Sequence, residues 1–188
     1  MTGLYKAVRP DGTDFYSGRV RWLPEDLTVP DGGWLVEHPH PAAKIGPKSG
    51  ADASEYLSLS TIPTDCTGMH WPCLLLAVEP VGKHHADARL PNKRRVKAAR
   101  VVEVLDPHEA FGPQGVHVAA LIEQARALTA DRALALAAAR DAAWDAAWAA
   151  ARGLVVRDLI ATAHYDALTL PWRQVVGRIH PDDPEVAR

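Results

Sequence analysis

Two cysteines and a histidine lie close together in the polar segment STIPTDCTGMHWPC, residues 60–73. Thiolate and imidazole groups are zinc ligands, and a thiol beside an imidazole base can act as a nucleophile. The spacing Cys66-x3-His70-x2-Cys73 matches no common zinc module, so we predict that the protein holds no metal. Two alternatives stay open for this segment: a catalytic cysteine with His70 as its base, or a structured turn with one cysteine buried at the start of a strand.

A basic run, KRRVKAAR, begins at residue 93 and could carry a different chemistry. The formal net charge of the chain is −2, so any site for phosphate groups has to be local. One alternative is a nucleic-acid interface, and the other is an edge strand whose charges prevent aggregation. We favour the edge strand and keep the interface as a candidate, with Lys93, Arg94, Arg95, Lys97 and Arg100 as its residues.

A third set of residues resembles the arginine, serine-threonine-serine and glutamate signature of ADP-ribosyltransferases. It consists of Arg9, Ser58, Ser60 and Thr61, and Glu103 or Glu79, each on or next to a predicted strand. The resemblance implies an enzyme that uses NAD: the arginine holds NAD, the serines order the site, and the glutamate stabilises an oxocarbenium-like ribose. The residues two positions before the glutamates are Val101 and Ala77, so the second acidic or amide residue of that family is absent.

The stretch RDAAWDAAWAAARG, residues 140–153, spaces arginine and tryptophan four residues apart. Residues at this spacing share one face of a helix, here Arg140, Trp144, Trp148 and Arg152. Each tryptophan would bury on the order of 200 Å². We expect the stripe to pack inside the protein, on the sheet or on a helix over residues 115–128. The alternatives are an exposed dimer or partner-binding surface and, third, insertion into a membrane.

A β-rich segment followed by a helical one must position these residues. Residues 1–112 hold short apolar stretches between turns rich in proline and glycine, which predict strands at LYKAVR, RVRW, GWLVEH, EYLSLST, CLLLAVE and VKAARVVEVL. We therefore predict an α+β fold with a mixed or antiparallel β-rich domain over residues 1–112. We also predict a helical region over residues 113–180 that packs on this domain. A flexible tail is predicted over residues 181–188.

Helical spacing of apolar residues begins after FGPQG. It predicts one helix near residues 115–128 and a long helix rich in alanine and tryptophan from about Asp131 to Arg152, with Thr129 as its N-cap. We expect Gly153 to break or kink the chain. Pro171 is predicted in the first turn of a last helix, where its missing N–H costs nothing.

Composition restricts the class of protein. Apolar residues make up 47% of the 188 residues and charged residues 23%, which is typical of a globular protein. The segment MTGLYKAVRPDG lacks the apolar core of a signal peptide, and charged residues interrupt the alanine-rich run, so we expect a soluble protein without a membrane span. Two cysteines are too few for a disulfide scaffold, which favours the reducing cytoplasm.

Several stretches resemble a group of proteins of unknown function from actinobacteria and their phages: YKAVRPDGTDFYSGRVRW, YLSLSTIPTDCTGMHWPCLLLAVE, KRRVKAARVVEVL, GPQGVHVAALIE, GLVVRDLI and YDALTLPWRQVVG. The N-terminal half also resembles a broader phage-borne domain with an opening YKA strand and a later basic strand. The resemblance implies a phage or prophage accessory protein of the bacterial cytoplasm and assigns no activity.

The leading hypothesis is a non-enzymatic module, without a cofactor, that binds a host or phage macromolecule. An ADP-ribosyltransferase-like enzyme that uses NAD is the first alternative, and a nucleic-acid binder through residues 93–100 is the second. Formation of a homodimer through the tryptophan stripe stays open.

Overall fold

The computed structural model describes residues 3–66, 70–139 and 143–185 and divides the chain into two compact units. Unit 1 spans Met1–Ala110 and holds the strands, and unit 2 spans Phe111–Arg188 and holds the α-helices. The predicted α+β fold is confirmed, since an antiparallel sheet precedes a helical region. The boundary between the units lies two residues before the predicted one at residue 112.

Seven antiparallel strands form the sheet of unit 1 in the order β2-β7-β4-β1-β3-β6-β5. Their bounds are β1 Leu4–Val8, β2 Trp34–Glu37, β3 Leu57–Ser60, β4 Leu74–Val81, β5 His85–Ala86, β6 Lys93–Val96 and β7 Ala98–Leu105. Period-two alternation places Leu4 and Val8 of β1 in a buried cluster with Leu76 and Val78 of β4. A large apolar core therefore covers one face of the sheet.

The stretch RVRW does not form a strand, contrary to the prediction. Residues 13 and 21 make one isolated bridge, Thr13↔Arg21, and the chain after it is irregular. Trp22 and Leu23 are nevertheless buried in the core of unit 1. These two apolar residues thus belong to a loop that covers the sheet. Alternation of apolar and polar residues alone cannot distinguish such a loop from a strand.

The first half of the basic run forms β6, which pairs with β3 on one side and with β5 on the other. The prediction of an edge strand is therefore wrong, because β2 and the two-residue β5 are the strands at the edges of the sheet. Lys97 separates β6 from β7, so the run is divided between two strands that are not neighbours.

The described residues of unit 2 contain the α-helices α1 Gly115–Arg126, α2 Ala130–Ala139, α3 Ala143–Val155 and α4 Thr162–Val175. The predicted long helix corresponds to α2 and α3, and residues 140–142 between them lie outside the described residues. Thr129 precedes α2 as predicted, and its Oγ1 accepts a 3.4 Å hydrogen bond from the Arg132 amide.

Gly153 and Pro171 do not interrupt or begin helices, contrary to the prediction. Helix α3 continues through Gly153 to Val155, and Pro171 lies inside α4. A Cβ atom at Gly153 would lie 2.9 Å from Cγ2 of Thr169 on α4, so glycine is needed there for close helix packing. The buried face of α4, with Thr169 and Trp172, keeps the helix continuous past the proline.

Residues 181–183 belong to the fold of unit 2, whereas the prediction placed them in a flexible tail. Asp183 is buried, and its Oδ2 accepts hydrogen bonds from the amides of Ile179 at 3.1 Å and His180 at 3.0 Å. Residues 186–188 lie outside the described residues. Among the helices that the structure describes, none has the length and apolar character needed to cross a membrane.

Candidate functional site

A cleft opens in the sheet of unit 1 between β1 and β3. The ladder between these strands holds a single residue pair, Tyr5↔Ser60, whereas β1 pairs with β4 at five positions and β3 with β6 at four. The strands diverge beyond that pair, so Lys6 of β1 and Ser58 of β3 have no partner across the β1–β3 side and border a gap there, while each stays paired with the strand on its other side. An opening inside a sheet offers both side chains and backbone groups to a ligand.

Two adjacent cavities occupy this cleft, and they share Lys6, Tyr16 and Ser58 as lining residues. The first cavity has a volume of about 250 Å³ and is also lined by aromatic and basic side chains, among them Arg19, Trp22, His38, His40 and Tyr56. The second has a volume of about 560 Å³ and is also lined by Tyr5, Phe15, Ser60, Asp65, Cys66, His70 and Lys93. The shared residues place Lys6 where the two cavities meet.

The loop after β1 is held in place by the carboxylate of Asp14. Its Oδ2 accepts a hydrogen bond from the Ser17 amide at 2.6 Å, and its Oδ1 accepts bonds from the Ser17 hydroxyl and the Val20 amide at 2.9 Å each. Burial alone would raise the pKa of Asp14, but the hydrogen bonds from Ser17 and Val20 hold that pKa below its ordinary value. The loop therefore presents Tyr16 at the cleft from an anchored turn.

Lys6 is a partly buried cation at the junction of the two cavities. Its ammonium nitrogen lies 5.2 Å from the centre of the Trp22 ring, a distance that allows a cation–π interaction. Desolvation lowers the pKa of Lys6, and repulsion from Lys93 adds to this, against the attraction of Asp14 and Cys66. The ammonium form is therefore less stable here than in water.

Cys66 lines the larger cavity, but its thiol is not activated. The Sγ atom donates a 3.6 Å hydrogen bond to the carbonyl of Ile62, and burial raises the pKa of Cys66 to about 11. His70, the predicted base, stacks its ring on Phe15 with 4.7 Å between the ring centres. The second thiol, Cys73, is buried at the start of β4 and its pKa is also raised to about 11. The turn with a buried cysteine fits this geometry better than a nucleophile.

Within residues 3–66, 70–139 and 143–185, no group of three or more histidine, cysteine, aspartate or glutamate side chains is arranged to hold a metal ion. Residues 67–69 of the polar segment lie outside the described residues.

The residues that resemble the ADP-ribosyltransferase signature are spread across the sheet. Ser60, Tyr5, Ala77 and Glu103 occupy one row on the neighbouring strands β3, β1, β4 and β7. Adjacent strands are about 4.8 Å apart, so roughly 14 Å separates the backbones of Ser60 and Glu103. Glu103 is exposed on this row and does not reach the cleft.

Arg9 is engaged elsewhere in unit 1. Its Nη2 donates a 3.2 Å hydrogen bond to the carbonyl of Phe15, and its Nη1 lies 2.7 Å from the position a Cβ would take at Gly18. Thr61 follows β3, and its amide donates to the carbonyl of Asn92 at 2.8 Å. Of the predicted set, only Ser58 and Ser60 line the cleft.

The basic residues of 93–100 do not form one free patch. Arg95 is buried and pairs with Asp87, to which its Nε donates at 2.7 Å and its Nη2 at 2.5 Å. The other four donate to backbone carbonyls: Lys93 to Asp65, Arg94 to Pro91 and Lys93, Lys97 to Ala43 and Arg100 to Gly32. A nucleic-acid interface would have to replace these contacts, and Arg95 could not take part in it.

The tryptophan stripe of α3 faces outward, whereas packing inside the protein was the expectation. Trp144 is 63% exposed and Trp148 is partly exposed, with the guanidinium of Arg152 lying 5.8 Å from the Trp148 ring centre. The buried face of α3 consists of small residues and one leucine instead: Ala146, Ala147, Ala149, Ala150, Ala151, Gly153 and Leu154. Arg140, the first residue of the predicted stripe, lies outside the described residues.

Trp172 of α4 is the tryptophan that fills the core of unit 2, with no exposed surface. The expectation was wrong because alanine allows the close approach of α1, α2 and α4 to α3, which leaves no room for larger side chains on that face. The helical spacing identified the stripe correctly but not its direction.

Sequence reasoning missed Lys6, Asp14 and Tyr16. One signal was available, because Lys6 alternates with Leu4 and Val8 on β1 and therefore occupies a position that faces the core. A lysine at such a position needs a structural or functional reason. Comparison of the chain with protein-family models, curated proteins and solved structures gives no match, so the assignment of a function rests on this geometry.

Proposed function

We propose that the protein is a non-enzymatic interaction module of a phage or prophage that acts in the bacterial cytoplasm and binds a host or phage protein. The α3 surface formed by Trp144, Trp148 and Arg152 is the binding surface in this proposal. The observation that carries it is the exposure of Trp144, which is 63% exposed.

An exposed tryptophan on an ordered helix supports binding because its transfer from water is strongly favourable. A tryptophan side chain buries on the order of 200 Å² when it is covered, and tryptophan and arginine are enriched among the residues that dominate binding energy. Trp144 and Trp148 are four residues apart on α3, and Arg152 extends the same face by one more turn. The three side chains thus form a continuous surface of the composition found at the centres of interfaces.

The chemistry of this surface favours a protein partner with an apolar pocket bordered by carboxylates. The Arg152 guanidinium lies near the Trp148 ring, at 5.8 Å from its centre, and is exposed. A guanidinium that stacks on a ring keeps its N–H edges available for a carboxylate. The tryptophans would enter the pocket, and Arg152 would pair with an acid at its border.

Affinity capture with matched variants tests the proposal. Immobilised wild-type protein, Trp144→Ala and Leu159→Ala are exposed to lysate of an actinobacterial host, and any retained protein is then purified and titrated. Leu159 is 83% exposed and lies outside the stripe, so it controls for loss of exposed apolar surface. We expect saturable binding to the wild type and to Leu159→Ala, and a loss of about tenfold or more in affinity with Trp144→Ala.

Two results would contradict the proposal. Equal affinity of a purified partner for the wild type and for Trp144→Ala would exclude the α3 surface. Light scattering could also show a dimer for the wild-type protein and a monomer for Trp144→Ala. That result would show that a second copy of the chain covers the surface. Trp144→Ala should fold normally, because truncation of an exposed side chain changes stability by only about 0.5 kcal/mol.

Neither alternative function has comparable support. The ADP-ribosyltransferase-like site would need Arg9, Ser58 and Glu103 in one cleft, and these residues lie on or after three separate strands with Arg9 bonded to Phe15. A nucleic-acid interface would need free cations at residues 93–100, of which Arg95 is buried in an ion pair.

A further inference from the structure

The ammonium group of Lys6 has no hydrogen-bond acceptor among the residues that the structure describes. Its nitrogen lies 5.2 Å from the centre of the Trp22 ring. A partly buried ammonium group that keeps its three donors unpaired is costly, because it has lost part of its water without a replacement. The cost is offset when an anion from outside the chain occupies the space beside it.

The two carboxylates that line the cleft each have hydrogen-bond donors within unit 1. Asp14 accepts three hydrogen bonds, two from Ser17 and one from Val20, and the Oδ2 of Asp65 accepts a 2.7 Å hydrogen bond from the side-chain amide of Asn92. The other charged or titratable groups that line the cavities beside Lys6 are Tyr5, Tyr16, Arg19, His38, His40, Tyr56, Cys66, His70 and Lys93, of which none is a carboxylate. Three side chains with a formal positive charge, Lys6, Arg19 and Lys93, therefore line these cavities together with two carboxylates, Asp14 and Asp65.

We propose that the cleft between β1 and β3 binds a small organic anion whose carboxylate or phosphate group pairs with Lys6. Ser58 lines both cavities beside Lys6, and its hydroxyl supplies a second donor to the anionic group. Lys93, at the wall of the larger cavity, adds positive potential. The site thus combines one central cation with donors that converge on the junction of two cavities.

The body of the ligand is apolar or planar. Tyr16, Trp22 and Tyr56 line the smaller cavity, and Tyr16 is 72% exposed at its border, where a ring can cover it. The larger cavity, at about 560 Å³, lies in the range that holds small molecules, and the smaller cavity adjoins it. This site belongs to unit 1, and the proposal does not depend on the binding surface of α3 in unit 2.

Calorimetric titration with four probes tests the site: phenyl phosphate, benzoate, inorganic phosphate and uncharged phenol. We expect the wild-type protein to bind phenyl phosphate or benzoate at least about tenfold more tightly than phenol or inorganic phosphate. The comparison of phenyl phosphate with benzoate identifies whether the site prefers a phosphate or a carboxylate. The Nζ resonance of Lys6 should report a rise in the pKa of Lys6 when the anion binds.

The variants Lys6→Met and Lys83→Met assign the binding to the cleft. Lys83 is exposed and lines neither cavity, so Lys83→Met should bind the anion like the wild type. Lys6→Met should lose at least about tenfold in affinity while its melting temperature stays unchanged or rises, since a poorly solvated charge is removed. Equal affinity of wild type and Lys6→Met, or no saturable binding of either aromatic anion, would overturn the proposal.

Discussion

The hydroxyl of Tyr165 donates a 2.9 Å hydrogen bond to Oδ1 of Asp183, and both side chains are buried. Asp183 thereby joins α4 to the turn at residues 179–183, because its other carboxylate oxygen accepts the amides of that turn. Burial and the bond to Asp183 raise the pKa of Tyr165, so the tyrosine stays a neutral donor. Arg173, also buried, lies with its Nη1 at 3.9 Å from Oδ1 of Asp183.

Asp183→Ala should destabilise the protein by about 3–5 kcal/mol, because it leaves the buried Arg173 with less compensating charge and the Tyr165 hydroxyl without an acceptor. Urea denaturation of the variant measures this change. Asp182→Ala is the matched control, since Asp182 pairs with Arg157 at the surface and its loss should cost less than about 1 kcal/mol. Equal losses for the two variants would show that the network around Asp183 adds nothing to stability.

Gly153→Ala should destabilise the protein although alanine is the better helix former by about 1 kcal/mol. The added Cβ would lie 2.9 Å from Cγ2 of Thr169 and 3.3 Å from Cβ of Leu168, and overpacking of this kind costs about 1–3 kcal/mol. Thr169→Ser removes the methyl group but keeps the hydroxyl that donates to the Tyr165 carbonyl. The double variant Gly153→Ala with Thr169→Ser should therefore have a higher melting temperature than Gly153→Ala alone. Thermal denaturation of the wild type, both single variants and the double variant measures this.

Asp87→Ala should destabilise unit 1 by about 3–5 kcal/mol, since Arg95 would be left buried without its carboxylate. Hydrogen bonds from the Arg89 amide and from Arg95 hold the pKa of Asp87 below 3.8. The stabilisation by Asp87 is therefore fully present above the unfolded-state pKa and is lost as the pH falls through the lower folded-state pKa. Denaturant titrations at neutral and acidic pH should show a smaller acid-dependent loss in Asp87→Ala, with Glu103→Ala as an exposed control that matches the wild type.

Alkylation of the native thiols should be slow at neutral pH. Burial raises the pKa of Cys66 and of Cys73 from 9.0 to about 11, so the thiolate fraction is about 100-fold lower than for an ordinary thiol. Iodoacetamide labelling followed by mass spectrometry should proceed much faster in urea than in buffer. Rapid labelling of Cys66 in the folded protein would instead restore the hypothesis of a catalytic cysteine.

The order of elements could be predicted from local patterns, because alternation and helical spacing depend only on neighbouring residues. The strands LYKAVR, GWLVEH, EYLSLST and CLLLAVE each correspond to one strand of the sheet. Gly153 and Pro171 were misjudged for the opposite reason. Their effect depends on the residues that pack against them, here Thr169 beside Gly153 and the buried face of α4 around Pro171.

The candidate cleft could not be predicted, because it forms where the hydrogen-bonded pairing of β1 with β3 ends. Nothing in LYKAVR or EYLSLST indicates that β1 and β3 share only one residue pair. The sequence also does not indicate whether the tryptophan stripe of α3 faces the core or the solvent. Tryptophan and alanine are both compatible with a buried face, and the distance between the packed helices decides which of the two faces is buried. Lys6 was the detectable residue, as a charge among alternating apolar positions.

The sheet of unit 1 has two parts, and Tyr5↔Ser60 is the one residue pair in the ladder between them. Strands β2, β7, β4 and β1 make up the first part, with a bulge between Ala77 and Val78, and β3, β6 and β5 make up the second. One apolar core packs against both parts. A rotation of one part against the other about Tyr5↔Ser60 would widen or narrow the gap without breaking the strand pairs inside either part. A ligand that enters the gap would then set the twist between the two parts of the sheet.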